Sequence, residues 1–230
     1  MANRFHEDEF DMSGSIFDVF DCGNEESAVS SVWVKVEPAA SVDYDDGVGQ
    51  LCAFTAPNVY VDPTINQECL DEGCGFQNNP FKTITRALEM INPTESNPIT
   101  IHLAAGTYSP ETGESFPINL MSNLNIIGED EEATIIDAMS TNRVLYMDYC
   151  INNIVSKLTI RGGSALWDFS GGSLNFFNYS GGGIFLKNSN PYINNVIIKN
   201  NIANLGGGVF LSNSNPKMSN ITIVDNSAEL

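Results

Sequence analysis

The sequence predicts an all-β protein of the parallel β-helix class, a solenoid in which each turn of the chain forms one coil of short strands. The first observation is an internal repeat, because residues 181–205 and 206–230 are identical at 14 of 25 positions. The second is the length of the unit, which suits three short strands, whereas a propeller blade needs about 40 residues. The third is its pattern: short β-branched and aromatic runs alternate with Gly, Asn, Ser and Pro, without helical periodicity.

The two repeats predict which side chains meet in the core. Parallel strands of successive coils lie about 4.8 Å apart, so like residues stack one period apart. Asparagines one period apart should bond through their amides along the axis. The Gly triplet that opens each unit should supply backbone angles closed to other residues. The stacks expected to point inward are Phe185 on Phe210, Leu186 on Leu211, Ile193 on Met218, Val196 on Ile221 and Ile198 on Ile223.

Weaker coils are predicted upstream of the repeats. Short apolar runs separated by turns occupy residues 99–108, 118–129, 133–138, 143–150 and 153–163. The segments NLNIIG, KLTIRG, NVIIKN and NITIVD align as one recurring edge of the solenoid. Residues 164–180 break the period, so we expect them to form a loop extruded from one coil.

One helix is predicted at about residues 80–92. Asn79 and Pro80 suit an N-cap and a first helical position, and Asn92-Pro93 suits an end. A solenoid exposes its apolar core at each end and needs a cap, so this helix is expected to close the N-terminal end. Its apolar face consists of Phe81, Ile84, Ala87, Leu88 and Ile91.

Two segments are predicted along the chain. Residues 1–52 form an acidic N-terminal segment, either a linker or the remnant of a preceding domain, and residues 53–230 form the β-helix domain. The second repeat ends where a third Gly triplet would begin, and the N-terminus has no apolar h-region of a signal peptide. We therefore expect a piece of a longer protein, truncated at its C-terminus.

Charge excludes several classes of partner. The net charge is −19, and residues 1–81 carry 16 acidic and two basic side chains. Binding of a nucleic-acid backbone or an anionic membrane surface needs clustered Lys and Arg, which this composition lacks. No apolar run approaches the roughly 20 residues that span a bilayer, so membrane insertion is not expected. The acidity indicates solubility, or alternatively cation binding or life in a salty medium.

Five cysteines are present, and two of them lie close together in CLDEGCG. This stretch has no second cysteine pair or histidine to complete a zinc site. A local disulfide between Cys69 and Cys74 is the better interpretation, and it implies an oxidising compartment. The sequence leaves the pairing of Cys22, Cys52 and Cys150 open.

A family resemblance begins with VYVDPT, NPFKTITRALEMI and ITIHLAAGTYSPETGESFPINLMSNLNIIGEDEEATIIDA, and continues through the Gly/Asn repeats. Together, residues 58–230 resemble right-handed parallel β-helix proteins of the pectin-lyase-like superfamily, most closely the DUF1565 group of prokaryotic surface or secreted proteins. The resemblance implies a right-handed, single-stranded β-helix, an extracellular or cell-surface setting and a polysaccharide or surface glycan as partner. It implies little about catalysis, because this fold carries enzymes and adhesins alike.

A catalytic interpretation needs clustered acids, and residues 151–230 contain only three. A pectate-lyase-like or polygalacturonase-like enzyme acting on acidic polysaccharide would use Asp137, Asp148, Arg161 and Asp168. Its carboxylates would hold Ca²⁺, and Arg161 would act as the base. Asp148 and Arg161 are expected on neighbouring strands, where the alternative is an exposed ion pair.

A non-catalytic carbohydrate-binding, adhesive or structural module is the favoured function. The loop at 164–180 is rich in aromatic residues, whose faces stack on sugar rings, and insertions in solenoids often lie on the working face. The alternative is an apolar cluster that shields the edge of the coil. The candidate sugar-binding residues are Trp167, Phe169, Phe176, Phe177 and Tyr179.

A second metal candidate lies in the N-terminal segment. The stretch DYDDG places Asp43, Asp45 and Asp46 before a glycine and resembles a truncated calcium loop. It lacks the glutamate that closes such a loop at its twelfth position.

Overall fold

The computed structural model describes residues 56–67, 74–166 and 176–229, together with two short strands nearer the N-terminus. The chain divides into two compact units, Met1–Thr55 and Ala56–Leu230. In the first unit, β1 (Ser15–Ile16) pairs antiparallel with β2 (Glu37–Pro38). The candidate calcium ligands Asp43, Asp45 and Asp46 lie outside the described residues.

The second unit is built almost entirely of short strands. Among its described residues, the helices are α1 (Ile84–Met90) and the two 3-10 turns Pro110–Thr112 and Phe176–Tyr179. Its strands are β3 (Asn58–Val61), β4 (Ile99–Leu103), β5 (Gly106–Tyr108), β6 (Ile118–Asn119), β7 (Leu124–Gly128), β8 (Thr134–Asp137), β9 (Leu145–Asp148), β10 (Ile154–Arg161), β11 (Ser164–Ala165), β12 (Ile184–Lys187), β13 (Tyr192–Lys199), β14 (Ile202–Ala203), β15 (Val209–Ser212), β16 (Lys217–Val224) and β17 (Ser227–Ala228).

The described strands of the second unit pair in parallel and form three sheets. The long sheet runs in the order β16-β13-β10-β7-β4-β3, with β8 joining β10 to β5. The four-stranded sheet runs β15-β12-β9-β6, and the three-stranded sheet runs β11-β14-β17. Each coil contributes strands to the sheets in turn, which confirms the predicted parallel β-helix. No helix in the described part of the chain is long and apolar enough to cross a bilayer.

The expected stacking register is confirmed in both repeats. Phe185 pairs with Phe210 and Leu186 with Leu211, and on the long sheet Ile193, Val196 and Ile198 pair with Met218, Ile221 and Ile223. The direction predicted for Phe185 is wrong, however. Phe185 is in register with Tyr146, which alternates with the buried Leu145 and Met147 and so lies on the outer side of its sheet.

Single left-handed residues form the corners within β10, β13 and β16. Lys157, Asn195 and Asn220 have φ of 56°, 50° and 51°, and each interrupts one continuous strand. The alignment of NLNIIG with KLTIRG is therefore wrong, because β7 pairs with the first half of β10 and β8 pairs with the second half. In the coil that contains β7 and β8, residues 129–133 lie between the two strands. The spacing between paired residues of this coil and the next is therefore not constant along the coil.

Asparagine ladders run along the axis as predicted. The Nδ2 of Asn213 donates to Oδ1 of Asn188 at 2.6 Å, and the Nδ2 of Asn220 donates to Oδ1 of Asn195 at 2.9 Å. All four residues have positive φ, a conformation that asparagine tolerates better than most side chains. The repeat of asparagine therefore serves both the bend and the bonding between coils.

The Gly triplets serve a second purpose besides the expected one. Only the first glycine of each triplet, Gly181 or Gly206, has positive φ. A Cβ on Gly182 would collide with the backbone oxygens of Ile202 and Gly207. Close approach of successive coils, as well as backbone angle, therefore requires glycine here.

Helix α1 is shorter than predicted and begins later. Its N-cap is Thr83, whose side chain accepts a hydrogen bond from the N–H of Arg86. Asn79 is not the N-cap, because Phe81 is held extended in a parallel bridge with Val61. The helix contacts β3, the terminal strand of the long sheet, as expected of an N-terminal cap.

A buried carboxylate fastens the first turn of α1. Glu114 is buried, and its two oxygens accept hydrogen bonds from the N–H groups of Ile84 and Thr85 and from the Thr85 hydroxyl. The first N–H groups of a helix have no partner within the helix. Glu114 supplies those partners from 30 residues away and so ties the cap to the coil.

Candidate functional site

An aromatic ladder covers the outer side of the four-stranded sheet. The ring centroids of Tyr146 and Phe185 lie 5.1 Å apart, those of Phe185 and Phe210 lie 5.4 Å apart, and both pairs are stacked. The three residues occupy the same register position on β9, β12 and β15. Phe185 has no exposed surface, so another part of the chain must cover this outward-facing ring.

The segment that ends the inserted loop supplies that cover. Phe177 presents its edge to the rings of Phe185 and Phe210, with centroid distances of 6.0 and 6.4 Å. The following Ser180 is buried, and its hydroxyl donates to the carbonyl of Phe176. The described end of the loop, residues 176–180, therefore shields the coil, as one of the two sequence interpretations expects, yet Phe177 itself remains 41% exposed.

Arg143 holds this segment against the ladder. Its guanidinium carbon lies 4.7 Å from the centroid of Phe185, and one of its nitrogens donates to the carbonyls of Phe177 and Asn178 at 2.9 and 2.7 Å. Arg143 is only 7% exposed, and burial lowers the pKa of its guanidinium. The residue combines a cation–π contact with bonds to two carbonyls at the loop.

An ion pair lies beside the ladder, between two exposed rings. Lys187 Nζ lies 3.0 Å from Asp148 Oδ2, 5.8 Å from the ring centroid of Tyr149 and 5.7 Å from that of Phe177. Tyr149 is 71% exposed. The hydrogen bond to Asp148 raises the pKa of Lys187. We call Asp148, Tyr149, Phe177 and Lys187 the ring-flanked site.

One oxygen of this site has no partner. Asp148 Oδ2 accepts from Lys187 and, at 3.4 Å, from the hydroxyl of Tyr146, whereas Oδ1 is inaccessible to solvent and accepts no hydrogen bond. Burial, followed by the charge of Asp148, raises the pKa of Tyr146, so its hydroxyl remains a donor. Buried polar atoms are usually satisfied, and Oδ1 of Asp148 is an exception in the described part of the chain.

The residues predicted to be catalytic lie on two different sheets where the structure describes them. Asp137 and Arg161 form an ion pair at 2.7 Å across β8 and β10 of the long sheet. Asp148 lies on the four-stranded sheet and pairs with Lys187 instead, so its expected adjacency to Arg161 is wrong. Asp168 lies outside the described residues. Within the described ranges, no group of three or more His, Cys, Asp or Glu side chains is placed to hold Ca²⁺ or another metal.

The structure describes three of the five aromatic residues predicted to bind sugar, and their surroundings differ. Phe176 is exposed, Phe177 packs on the ladder, and Tyr179 is half-buried with its carbonyl accepting from the N–H groups of Asn204 and Leu205. Trp167 and Phe169 lie outside the described residues. The sequence interpretation missed Arg143, Tyr146, Tyr149 and Lys187. A signal for one of them, Lys187, existed, because the strands LYMD and IFLK carry opposite charges at their last position.

The cysteines differ in state. Cys74 is disulfide-bonded, but its partner lies outside the described residues, so the pairing of Cys69 with Cys74 stays a prediction. Cys150, next to the ring-flanked site, is a buried free thiol that donates to the carbonyl of Leu120. Burial raises the pKa of this thiol, which keeps it protonated and unreactive.

Replacing Arg143 with methionine is expected to loosen the loop before it unfolds the coil. The variant R143M keeps an apolar stem but leaves the carbonyls of Phe177 and Asn178 without their donor. We expect faster chymotryptic cleavage near Phe176 and Phe177, together with a loss of about 1–3 kcal/mol of stability. Arg161→Met, which breaks a partly exposed ion pair on the long sheet, is the control. Equal cleavage rates for the two variants would contradict the role given to Arg143.

Comparison with known proteins places this arrangement in a family. Two solved structures match: a pectin methylesterase in complex with a hexasaccharide (16% identity, TM-score 0.48) and pectin methylesterase PemA from Erwinia chrysanthemi (17% identity, TM-score 0.46). Each match covers 74% of this chain and 50% of the other, so the chain spans about half the length of these structures. No curated protein matches the sequence. The model of the family described as protein of unknown function (DUF1565) matches residues 69–229, and the chain belongs to that family.

Proposed function

We propose that the protein is a non-catalytic carbohydrate-binding module of an extracellular or cell-surface protein, and that the ring-flanked site holds the sugar. The observation that carries the proposal is the placement of an ion pair between the exposed rings of Tyr149 and Phe177. The neighbouring rings of Tyr146, Phe185 and Phe210 are stacked on one another in the ladder. Tyr149 and Phe177 remain available to solvent beside polar groups.

This combination of groups suits the chemistry of a saccharide. A pyranose ring has an apolar face of C–H groups and an edge of hydroxyls, so it binds to sites that join aromatic surface to a few placed polar atoms. Tyr149 and Phe177 supply the aromatic surface. Asp148 supplies acceptors and Lys187 supplies donors. The ladder beneath holds Phe177 in place, which reduces the ordering cost of binding.

Other features favour an extracellular setting. Cys74 is disulfide-bonded, and disulfides persist in oxidising compartments. Insertions in solenoid proteins tend to lie on the binding face, and here the inserted loop ends against the sheet that carries the ring-flanked site. The strong negative charge disfavours a nucleic-acid partner.

Tyr149→Ala is expected to weaken glycan binding by about tenfold or more, equivalent to about 1.4 kcal/mol. The loss follows from removing one of the two exposed rings. Binding is measured by titration calorimetry against 1,4-linked hexamers of galactose, glucose and mannose and of their uronic acids. Ile151→Ala, an exposed apolar side chain two residues away, is the matched control. Absence of binding by the wild-type protein to every hexamer would sink the proposal, as would equal losses in both variants.

The catalytic alternative stays a prediction and is read from the same samples. A lyase would release products with an unsaturated end that absorb in the ultraviolet, and a hydrolase would shorten the hexamers as seen by mass spectrometry. Asp137 and Arg161 neutralise each other on the long sheet, and among the described residues the ring-flanked site contains a single carboxylate. These observations favour binding without cleavage as the proposal to test first.

A further inference from the structure

The corner that carries Tyr149 links the stability of the solenoid to the ring-flanked site, and this inference rests on the function proposed above. We infer that Tyr149 stands at a corner whose backbone and neighbouring coil suit asparagine, and that the fold lacks a ladder rung where it presents this ring to the ligand. Asparagine at this position should therefore make the protein more stable and weaken its binding of glycan. Three observations carry the inference: the shared conformation of the corner, the interrupted ladder and the exposure of the ring.

Tyr149, Asn188 and Asn213 occupy the same corner in three successive coils. The N–H of Tyr149 donates to the carbonyl of Lys187 at 3.0 Å, and the N–H of Asn188 donates to the carbonyl of Ser212 at 2.9 Å. The φ angles of the three corner residues are 54°, 48° and 49°. Each corner directly follows a strand of the four-stranded sheet. The coils therefore repeat one left-handed corner, in which the side chain changes from tyrosine to asparagine.

Tyrosine suits this conformation poorly. A left-handed backbone brings Cβ close to the following carbonyl oxygen, and asparagine is several-fold enriched at positive φ, whereas a bulky residue there is an outlier. Of the described residues with positive φ, Tyr149 is the single aromatic one. Its side chain is mostly exposed, so burial of the ring does not offset the strain. Outliers of this kind cluster at ligand-binding sites, which agrees with the place of Tyr149 in the ring-flanked site.

The tyrosine also interrupts a hydrogen-bonded ladder. The Nδ2 of Asn213 donates to Oδ1 of Asn188, in the coil before it, at 2.6 Å. Tyr149 has no amide oxygen that could accept from Nδ2 of Asn188 in the same way. Because the backbone angles of the three corners match, an asparagine in place of Tyr149 would bring its Oδ1 to the level of this missing rung. The substitution therefore relieves the corner and extends the ladder by one coil.

The contact made by the Tyr149 ring belongs to the site rather than to the core. Lys187 Nζ lies 5.8 Å from the ring centroid, and among the residues that the structure describes no second ring stacks on it. A cation–π contact at an exposed position is weak. Tyr149→Asn loses this one contact but gains a favourable corner and a ladder rung, so we expect a net gain in stability.

Thermal unfolding of the whole chain, followed by circular dichroism, tests the stability of the variant. Tyr149→Asn should raise the unfolding midpoint by about 2–4 °C, the shift that a small gain in stability gives a domain of about 150–250 residues. Titration with the hexamer that binds wild type most tightly tests the site. The affinity of this variant for that hexamer should fall about tenfold or more, because the exposed ring is gone.

Lys157→Asn is the matched control. Lys157 has a φ of 56° and lies at a corner of the long sheet, where Asn195 and then Asn220 follow in the next two coils. Nδ2 of Asn220 donates to Oδ1 of Asn195, so this substitution also extends an asparagine ladder by one coil. It should raise the midpoint by a similar amount and leave the affinity for the hexamer unchanged, because Lys157 is not part of the ring-flanked site.

Each failure has its own meaning. A midpoint of Tyr149→Asn at or below that of wild type would overturn the inference and leave the proposed function standing. A raised midpoint with unchanged affinity, or an equal loss of affinity in both variants, would also overturn it, because the ring would then make no specific contact with the ligand. Failure of wild type to bind any hexamer removes the proposed function, and the inference falls with it.

Discussion

Phe185→Ala is expected to lower the free energy of unfolding by about 3–5 kcal/mol, the range for removing a buried phenylalanine. Phe185 is fully buried although it lies on the outer side of its sheet, stacked between Tyr146 and Phe210 and touched by Phe177 and Arg143. The truncation leaves a cavity among side chains from three coils and the loop. Guanidinium denaturation followed by circular dichroism measures the change through the midpoint and slope.

The matched control is Phe210→Ala, which removes the same side chain one rung further along the ladder. Phe210 is partly exposed, so its truncation removes less buried surface and should cost clearly less than that of Phe185. A cost for Phe185→Ala no greater than that for Phe210→Ala would show that the loop does not seal the ladder. The difference between the two costs reports the stacking and the cover together, because Phe185 has a stacked ring on each side whereas Phe210 lies on the terminal strand and has one.

The same variant should impair the proposed site without touching the ligand. Phe177 rests on Phe185, and Arg143 bridges that ring to the loop. Loss of the Phe185 ring therefore frees Phe177, one of the two exposed aromatic rings of the proposed site. Glycan affinity should fall together with stability. Packing of the solenoid and presentation of the site are linked through this one side chain.

The repeat made the register of the last coils predictable, whereas the direction of Phe185 was not. Identical residues 25 positions apart require stacking, and the structure shows it for Phe185 on Phe210. The run GIFLK is apolar at consecutive positions, so alternation alone does not say which of Phe185 and Leu186 faces the core. Phe185 is buried because the end of the inserted loop covers it. The position of that loop cannot be read from the alternation of residues along a strand.

The ring-flanked site was only partly predictable for a related reason. Phe177 was found through the aromatic composition of the loop and Asp148 through its charge, but Asp148 was assigned the wrong partner. Lys187 lies 39 residues after Asp148, because the insertion lengthens this coil beyond the 25-residue period. Strand partners could therefore not be read by counting, and Tyr149 carried no signal besides being aromatic.

Asn201→Ala is expected to lower the free energy of unfolding by about 2–4 kcal/mol. Asn201 is 1% exposed, and its amide joins three successive coils. Its Oδ1 accepts from the N–H of Gly163 at 2.8 Å, and its Nδ2 donates to the carbonyl of Ile160 at 3.2 Å and to Oδ1 of Asn226 at 2.9 Å. Alanine leaves these groups buried without partners. Asn220→Gly is the control, because it removes an exposed rung and keeps a left-handed corner, so it should cost no more than about 0.5 kcal/mol.

Asn201→Asp separates the bonding role from the volume of the side chain. The introduced carboxylate has nearly the same shape, but at neutral pH it places an acceptor against the carbonyl of Ile160 and Oδ1 of Asn226. Burial and these acceptors favour the protonated form, so the pKa of the introduced group in the folded protein should exceed its unfolded value of about 3.9. The folded state then binds more protons than the unfolded state, and stability relative to wild type falls as pH rises through that interval. Denaturation midpoints of the variant and of the wild type between about pH 4 and pH 8 test this. A loss of stability relative to wild type that does not grow with pH would mean that the amide of Asn201 does not donate to these two oxygens.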